Sequence, residues 1–438
     1  MTSPRSRALG ACLQVAGFVS LLTVVLVPRN ASAEKILFKG DDWQVYTDGR
    51  VGAFLSYVHG DGSPVATQVI DGVPETINGG LWPATPATTQ SGDPQGTISM
   101  MRLRSGFIGN LLGVGVRNQI TPWTTLTGSI QIWAYVESEL RNKANPNIPD
   151  VRQGYAKLEG PWGSFLAGRT RTLTSRGATD INVLYAHRWG VGFPNSIDSK
   201  GPTQGMVGFG VLGSGFGAAM IYATPVLAGF QLSVGAFDPA TLGGPGWNGT
   251  KYARPEAELT FEKKFLATGK VVLFANGAHQ KLYKPGQCIP APTNPCEETV
   301  LGVGYGGRFE LGFFHLGLAG HYGKGLGLSY ALENSYAVAD AETHLRWGDG
   351  YYAQSQFVFG KVDLFAGWGI ARVFLTDLDL RSPSVSVIKW QMGVNGGIVY
   401  NVTPSLHFDL EYFRAEARWW LGEQQVLHSG AFGMTFNW

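Results

Sequence analysis

His407 and Asp409 stand two residues apart on one face of a strand-like run, the pairing in which a carboxylate orients an imidazole for general-base work. Acyl hydrolysis needs a serine and an orienting polar group beside one histidine. The other histidines, His59, His187, His279, His315, His321, His344 and His428, are scattered through other segments. No Gly-x-Ser-x-Gly string marks a nucleophile, and Gly213-Ser214-Gly215 lacks its spacing. The ingredients of catalysis are present without converging, so an enzyme is not expected and these histidines read as lumen or loop residues. Cys288 and Cys296 bracket a proline-rich segment between two strand-like runs, the pattern of a loop disulfide in an oxidising compartment. A metal site there lacks a nearby histidine or second cysteine pair. Asn248-Gly249-Thr250 matches a glycosylation pattern, a weak signal by itself.

The elements that would position such groups are strands. The last residues alternate, with Phe432, Met434, Phe436 and Trp438 on one face and Gly433, Thr435 and Asn437 on the other. An apolar face opposite a small or polar one fits a sheet with lipid on one side and water on the other. The four large residues are therefore the candidate signal for barrel assembly. At the other end, Arg5 and Arg7 precede an apolar run from Ala8 to Val27, and Ala31-Ser32-Ala33 offers a small-x-small cleavage site. Residues 1–33 are thus expected to be a cleaved signal peptide and 34–438 the mature domain. Leu9-Gly10-Ala11-Cys12 resembles a lipoprotein box, but most of the apolar run lies after Cys12, where such a box needs it before.

Composition agrees with export and strands. The leader holds Arg5, Arg7 and Arg29 and no acid, so of the 34 basic residues 31 remain against 32 acids, net −1. No basic excess points to nucleic acid. Only 15% of the chain is charged, 12% is aromatic and 61 residues are glycine, while the mean hydropathy is zero. Beyond the leader no stretch approaches the ~20 apolar residues of a membrane-spanning helix. A membrane role must then be carried by strands, with a large soluble β protein as the alternative.

Sixteen alternating segments have about the length a tilted strand needs to cross a bilayer. They fall near 43–58, 97–119, 124–137, 151–159, 163–171, 214–224, 229–237, 254–264, 269–280, 298–308, 310–322, 349–359, 362–376, 385–401, 404–420 and 424–438. Connections alternate in length. Thr121-Pro122-Trp123, Gly160-Pro161-Trp162, Phe359-Gly360-Lys361 and Val402-Thr403-Pro404 are short turns expected at the periplasmic end. Segments 59–96, 138–150, 172–213, 238–253, 281–297 and 323–348 are long and expected outside. The fold class is all-β: one transmembrane antiparallel barrel of sixteen strands, whose unfilled centre allows a single domain of this size.

Specific strings then resemble the trimeric general porins of Gram-negative bacteria. Tyr46-Thr47-Asp48-Gly49-Arg50-Val51-Gly52-Ala53-Phe54 is similar to their first strand, and Arg104-Ser105-Gly106-Phe107-Ile108-Gly109 to their second. Residues Val151 to Gly160, followed by Gly163 to Thr170, resemble the hairpin that leads into their long third loop. The resemblance implies an outer-membrane homotrimer that passes small hydrophilic solutes and ions by diffusion, without a cofactor. It also implies outer-membrane lipid around the wall and the barrel-assembly machinery as a partner during insertion.

The resemblance further implies that 172–213 folds into the lumen, with Arg50, Arg104, Arg152 and Arg169 as a basic ladder on the facing wall. Arg102 and Arg171 share faces with two of them. Acids on the inserted loop would set up a transverse field that orients dipolar solutes. The loop holds Arg176, Asp180, Tyr185, His187, Arg188, Trp189, Asp198 and Lys200 among many small residues. An ordinary surface loop, and arginines merely solvated near strand ends, are the plain alternatives. The chain departs from the pattern in lacking a Pro-Glu-Phe-Gly-Gly type turn, its acids sitting in Thr179-Asp180-Ile181 and Ile197-Asp198-Ser199. A further wall arginine of some members is replaced near Tyr222-Ala223-Thr224.

Trp419, Trp420, Tyr412 and Phe413 read either as part of an interfacial girdle or as a sugar slide. Consecutive aromatics point to opposite faces, so a girdle explains only half of them. Two other functions remain beside the diffusion pore: a substrate-specific channel, and a narrow or plugged barrel with a structural or adhesive role that presents 59–96.

Overall fold

A computed structural model describes residues 34–62, 67–70, 73–76, 81, 98–104, 109–134, 150–174, 176–181, 206–213, 215–239, 252–283, 297–328, 338–340, 342, 344–381 and 387–438. In chain order the elements are β1 (Lys35–Lys39), β2 (Trp43–Gly62), β3 (Thr67–Ile70), β4 (Val73–Thr76), β5 (Ile98–Arg104), β6 (Asn110–Thr121), β7 (Thr124–Ala134), β8 (Asp150–Gly160), β9 (Gly163–Arg171) and the short helix α1 (Arg176–Ile181). They continue with β10 (Phe216–Ala223), β11 (Phe230–Phe237), β12 (Arg254–Leu266), β13 (Gly269–Tyr283), β14 (Glu297–Leu311), β15 (Phe314–Lys324), β16 (Trp347–Phe359) and β17 (Val362–Val373). Helix α2 (Asp377–Arg381) precedes β18 (Ile388–Asn401), β19 (Leu406–Trp419) and β20 (Gln424–Asn437).

Antiparallel neighbours follow one another from β6 to β20, and β20 pairs with β2 from Arg50↔Asn437 to Gly62↔Gln425, which closes the ring. The second barrel position is shared by β5, opposite Phe54 to Gly60 of β2, and β6, opposite Trp43 to Arg50. The barrel therefore has sixteen strands, as the alternation predicts. β1, which alternation did not reveal because it is only five residues long, pairs with Gln44 to Thr47 and continues the β20 row past the C-terminus. Closure leaves no strand edge, which hydrocarbon would not tolerate.

Strand bounds agree with expectation to within a few residues. The largest shifts are four residues: β2 runs on to Gly62, and β15 starts at Phe314 because Gly312, at φ +58°, forms a tight turn where a strand from 310 is expected. The connections at one end are all short, at 122–123, 161–162, 224–229, 267–268, 312–313, 360–361 and 402–405, while 420–423 is a short one at the other end. The long ones lie at the other end. There the first contains the hairpin β3–β4, the third contains α1 and the seventh contains α2.

Side chains alternate between the two faces of this wall. Outward residues are large and apolar, with Leu410, Phe432, Met434 and Leu55 each half exposed. Their inward neighbours Asp409, Glu411, Ser429 and Thr435 are buried. Phe432, Met434 and Phe436 face outward, and Trp438 stacks on Phe436 at 5.9 Å. The paired aromatics divide as strand geometry requires. Tyr412 and Trp420 are outward, whereas Phe413 and Trp419 are inside and at most 3% exposed. The outward half fits a girdle; the inward half is covered and lines no sugar slide.

Candidate pore and its constriction

β12 supplies the first anchor of the inserted segment. Its run Arg254-Pro255-Glu256-Ala257-Glu258-Leu259 places charge on every second residue, and all three charged side chains are inside and at most 3% exposed. Charges in a wall interior persist when they are paired and hydrogen-bonded. Arg254 Nε donates to Glu256 Oε1 at 2.7 Å, and Glu256 Oε2 accepts the Thr174 backbone N–H at 2.8 Å. Glu258 Oε2 accepts Arg176 Nε at 2.8 Å and Arg176 Nη2 as well.

The chain beyond β9 therefore turns inward at Thr174 and enters α1 against β13 to β15. Gly177 is required there, since a Cβ would collide with the Phe274 ring of β13. Ala178 O accepts the Tyr352 hydroxyl of β16 at 3.1 Å, and Ile181 is 1% exposed. Residues 206–212 form a second anchor on β16 to β19. Phe209 is fully buried, meets Phe413 edge-on at 5.2 Å, and presses its backbone against Gly369 and its side chain against Gly393 so closely that a Cβ at either would clash. Thr172 N–H donates to Gly215 O at 3.0 Å and ties the two ends of the connection together. Leu81 of the first long connection is also inside, its N–H on Gln425 Oε1 at 2.8 Å.

The described ends of the third long connection thus pack inside the barrel, as the resemblance implies, but the polarity at the anchor is reversed. A loop cation, Arg176, meets a wall acid, Glu258. Asp180, expected to face a basic wall, pairs at 2.7 Å with Arg171 at the root of its own connection. The sequence signal of these wall acids is the period-two charge in Arg254-x-Glu256-x-Glu258, which the porin resemblance does not mark.

The four ladder arginines separate. Arg50 lies on the inward row of β2, between Gly52 and Asp48, and is 8% exposed. Arg104 stands opposite Phe54 in the β2–β5 register. Arg152 lies at a register shift of β8, its guanidinium 4.7 Å from the Trp133 ring and 5.6 Å from that of Phe216. Arg169 requires a correction. It pairs with Ala218 and Gly154 in the row that carries the outward Phe165, Met220 and Tyr222, and is itself exposed. Strand parity puts it outside the barrel, while its neighbour Thr170 points inward and bonds Gln153. Arg188, Asp198, Cys288 and Cys296 lie outside the described residues. His407 and Asp409 do share the inward face, but His407 Nδ1 is 2.7 Å from Asn401 Oδ1, in a polar row that includes Asp363 and Gln356.

Among the described residues, water-accessible inner wall concentrates on β6 to β11. Gln131, Gln153, Tyr155, Lys157 and Glu159 are partly exposed there, with Lys157 and Glu159 paired at 2.7 Å. A recess of about 380 Å³ opens beneath α1, lined among others by Tyr155, Lys157, Glu159, Ser164, Arg176 and Gln231.

Known proteins share this architecture. The outer membrane channel DcaP of Acinetobacter baumannii superposes with a TM-score of 0.62 at 14% identity, over 92% of this chain and 99% of that one. The anion-selective porin from Comamonas acidovorans gives 0.59 at 12% identity, over 91% and 100%. The trimer form of OmpT, an outer membrane protein of Vibrio cholerae, gives 0.52 at 13% identity, over 91% and 100%. No curated protein matches the sequence. At these identities the likeness establishes the fold, while the family model for the Gram-negative porin matches residues 20–418. A closed sixteen-strand barrel with an outward apolar wall and a polar interior, matched over nearly its whole length by that model, makes this chain a member of the Gram-negative porin family, a channel of the outer membrane through which solutes diffuse.

Proposed function

We propose that small hydrophilic solutes and ions pass off-centre, along the β6 to β11 side of the lumen, with α1 as the moving solute's opposite bank. The observation that carries this is the packing of α1 and of 206–212 onto β13 to β19, which leaves Gln153, Tyr155, Lys157 and Glu159 on the accessible side. The working unit is a homotrimer, exported with loss of residues 1–33, inserted by the barrel-assembly machinery and surrounded by membrane lipid. Its long connections face the exterior. Arg50, on the inward row of β2, biases ion choice together with Arg104 of β5 and Arg152 of β8.

Cysteine accessibility in single channels tests the path. In a background with Cys288→Ser and Cys296→Ser, Lys157→Cys should lose conductance when a charged thiol reagent is added, whereas Asn395→Cys, on the covered wall, should not. Equal responses overturn the off-centre path. A second reading, the narrow barrel with a surface role, draws on how much of the interior is filled by apolar side chains. Absence of any conductance would favour it.

A further inference from the structure

Outward charge on a membrane wall is costly near the bilayer midplane and cheap near the headgroups. On β19 the outward row runs Phe408, Leu410, Tyr412 and then changes to Arg414, Glu416 and Arg418. The residues between these, Phe413, Ala415, Ala417 and Trp419, are packed inside, so the direction of the charged row is fixed. Arg414 stands between Val394 and His428, Glu416 between Met392 and Val426, and Arg418 between Trp390 and Gln424.

The group is constructed. Glu416 is 5% exposed and accepts Arg414 Nη2 at 2.9 Å, Arg418 Nε at 2.9 Å and Gln424 Nε2 at 3.0 Å. One buried carboxylate thereby orients two guanidiniums. Arg418 also lies over the Trp390 ring at 5.3 Å, and Lys389 Nζ over Trp420 at 4.5 Å. Arg414 and Arg418 face Glu416, Lys389 stands over Trp420 at the same end of the wall, and Glu423 lies in the adjoining turn. Guanidinium forks held in place suit a tetrahedral oxyanion of high charge.

The level along the wall identifies the source of that oxyanion. Immediately toward the membrane, Tyr412 and His428 bond at 2.6 Å, and below them the outward residues are Leu410, Phe432 and Met434. We propose that Arg414, Arg418 and Lys389 bind a phosphate of an outer-leaflet glycolipid, whose acyl chains lie on this apolar surface. The assignment to the outer leaflet rests on the reading that the long connections face the exterior.

Native mass spectrometry of the delipidated full-length mature protein tests it, with a bisphosphorylated glucosamine glycolipid, the same glycolipid without phosphate, and inorganic phosphate as competitor. The bisphosphorylated form should be retained. Retention should fall on the order of tenfold in Arg414→Gln/Arg418→Gln, as expected for loss of charge-assisted bonds. Arg169→Gln, an outward arginine outside the group, should retain it as the parent does. Equal retention of the dephosphorylated form, or no loss in the double variant, overturns the proposal. Displacement by millimolar inorganic phosphate also overturns it, leaving an ion site only. Unchanged conductance of the double variant shows an intact barrel, and protease access to the long connections in whole cells tests the orientation separately.

Discussion

The side chains that hold the inserted segment are few, and each has a distinct failure. Arg176→Leu would leave Glu258 buried without its cation, a loss of about 3 kcal/mol or more by comparison with other buried pairs. Channels of this variant should show larger, noisier current steps as α1 detaches from β12. Phe209→Ala removes a fully buried ring from between β17, β18 and β19, at a cost of about 3–5 kcal/mol. The measurement is protease cleavage within 206–212 in folded protein, expected in the variant and absent in the parent. Arginine orientation gives a sharper contrast. Arg50→Gln should move the zero-current potential under a salt gradient toward cation preference, while Arg169→Gln, outside the wall, should leave it where it was.

At the scale of elements, the connections 325–346 and 374–387 are fastened together by a buried pair. Arg346 Nε and Nη2 reach Asp379 Oδ2 and Oδ1 at 2.7 and 2.8 Å, and Thr376 adds its N–H to Asp379 and its hydroxyl to Asp340. Burial alone would raise the Asp379 carboxyl, but the bonds and charge of Arg346, helped by Thr376, outweigh it and hold the pKa below the ordinary carboxylate value. A carboxyl with a depressed folded value stabilises fully above its unfolded pKa of about 3.9 and loses that contribution as pH falls through the folded one. Hydrogen exchange in α2 should therefore stay slow at pH 5 and quicken only below about pH 4, and Asp379→Asn should exchange fast at every pH. The strands around these connections were legible because lipid and water impose period-two alternation over ten or more residues. β1 is too short for that signal. Helices α1 and α2, with six and five residues, carry no amphipathic period either. The β12 carboxylates were legible as a charged row, but their partners were not, since the pairing of Arg176 with Glu258 joins positions 82 residues apart. Arg169 was misplaced because a motif match carries residue type, whereas orientation follows from counting along β9 to the outward Phe165.

For the whole molecule, the trimer is the first matter to measure. Conductance closing in three equal steps, and a cross-linked species of three chains that heat converts to one, are the expected results. The ring of strands has another meaning. Its seam joins β2 to β20 in thirteen consecutive pairs, from Arg50↔Asn437 to Gly62↔Gln425, so the longest-range strand pairing among the described residues is also the one that removes both free edges. Bringing such distant segments together costs loop entropy before any reward, and every earlier intermediate exposes two hydrogen-bonding edges. The wall cannot be finished gradually: a chain lacking its last strand is an open template for aggregation, and quality control of this protein reduces to whether one late seam has zipped.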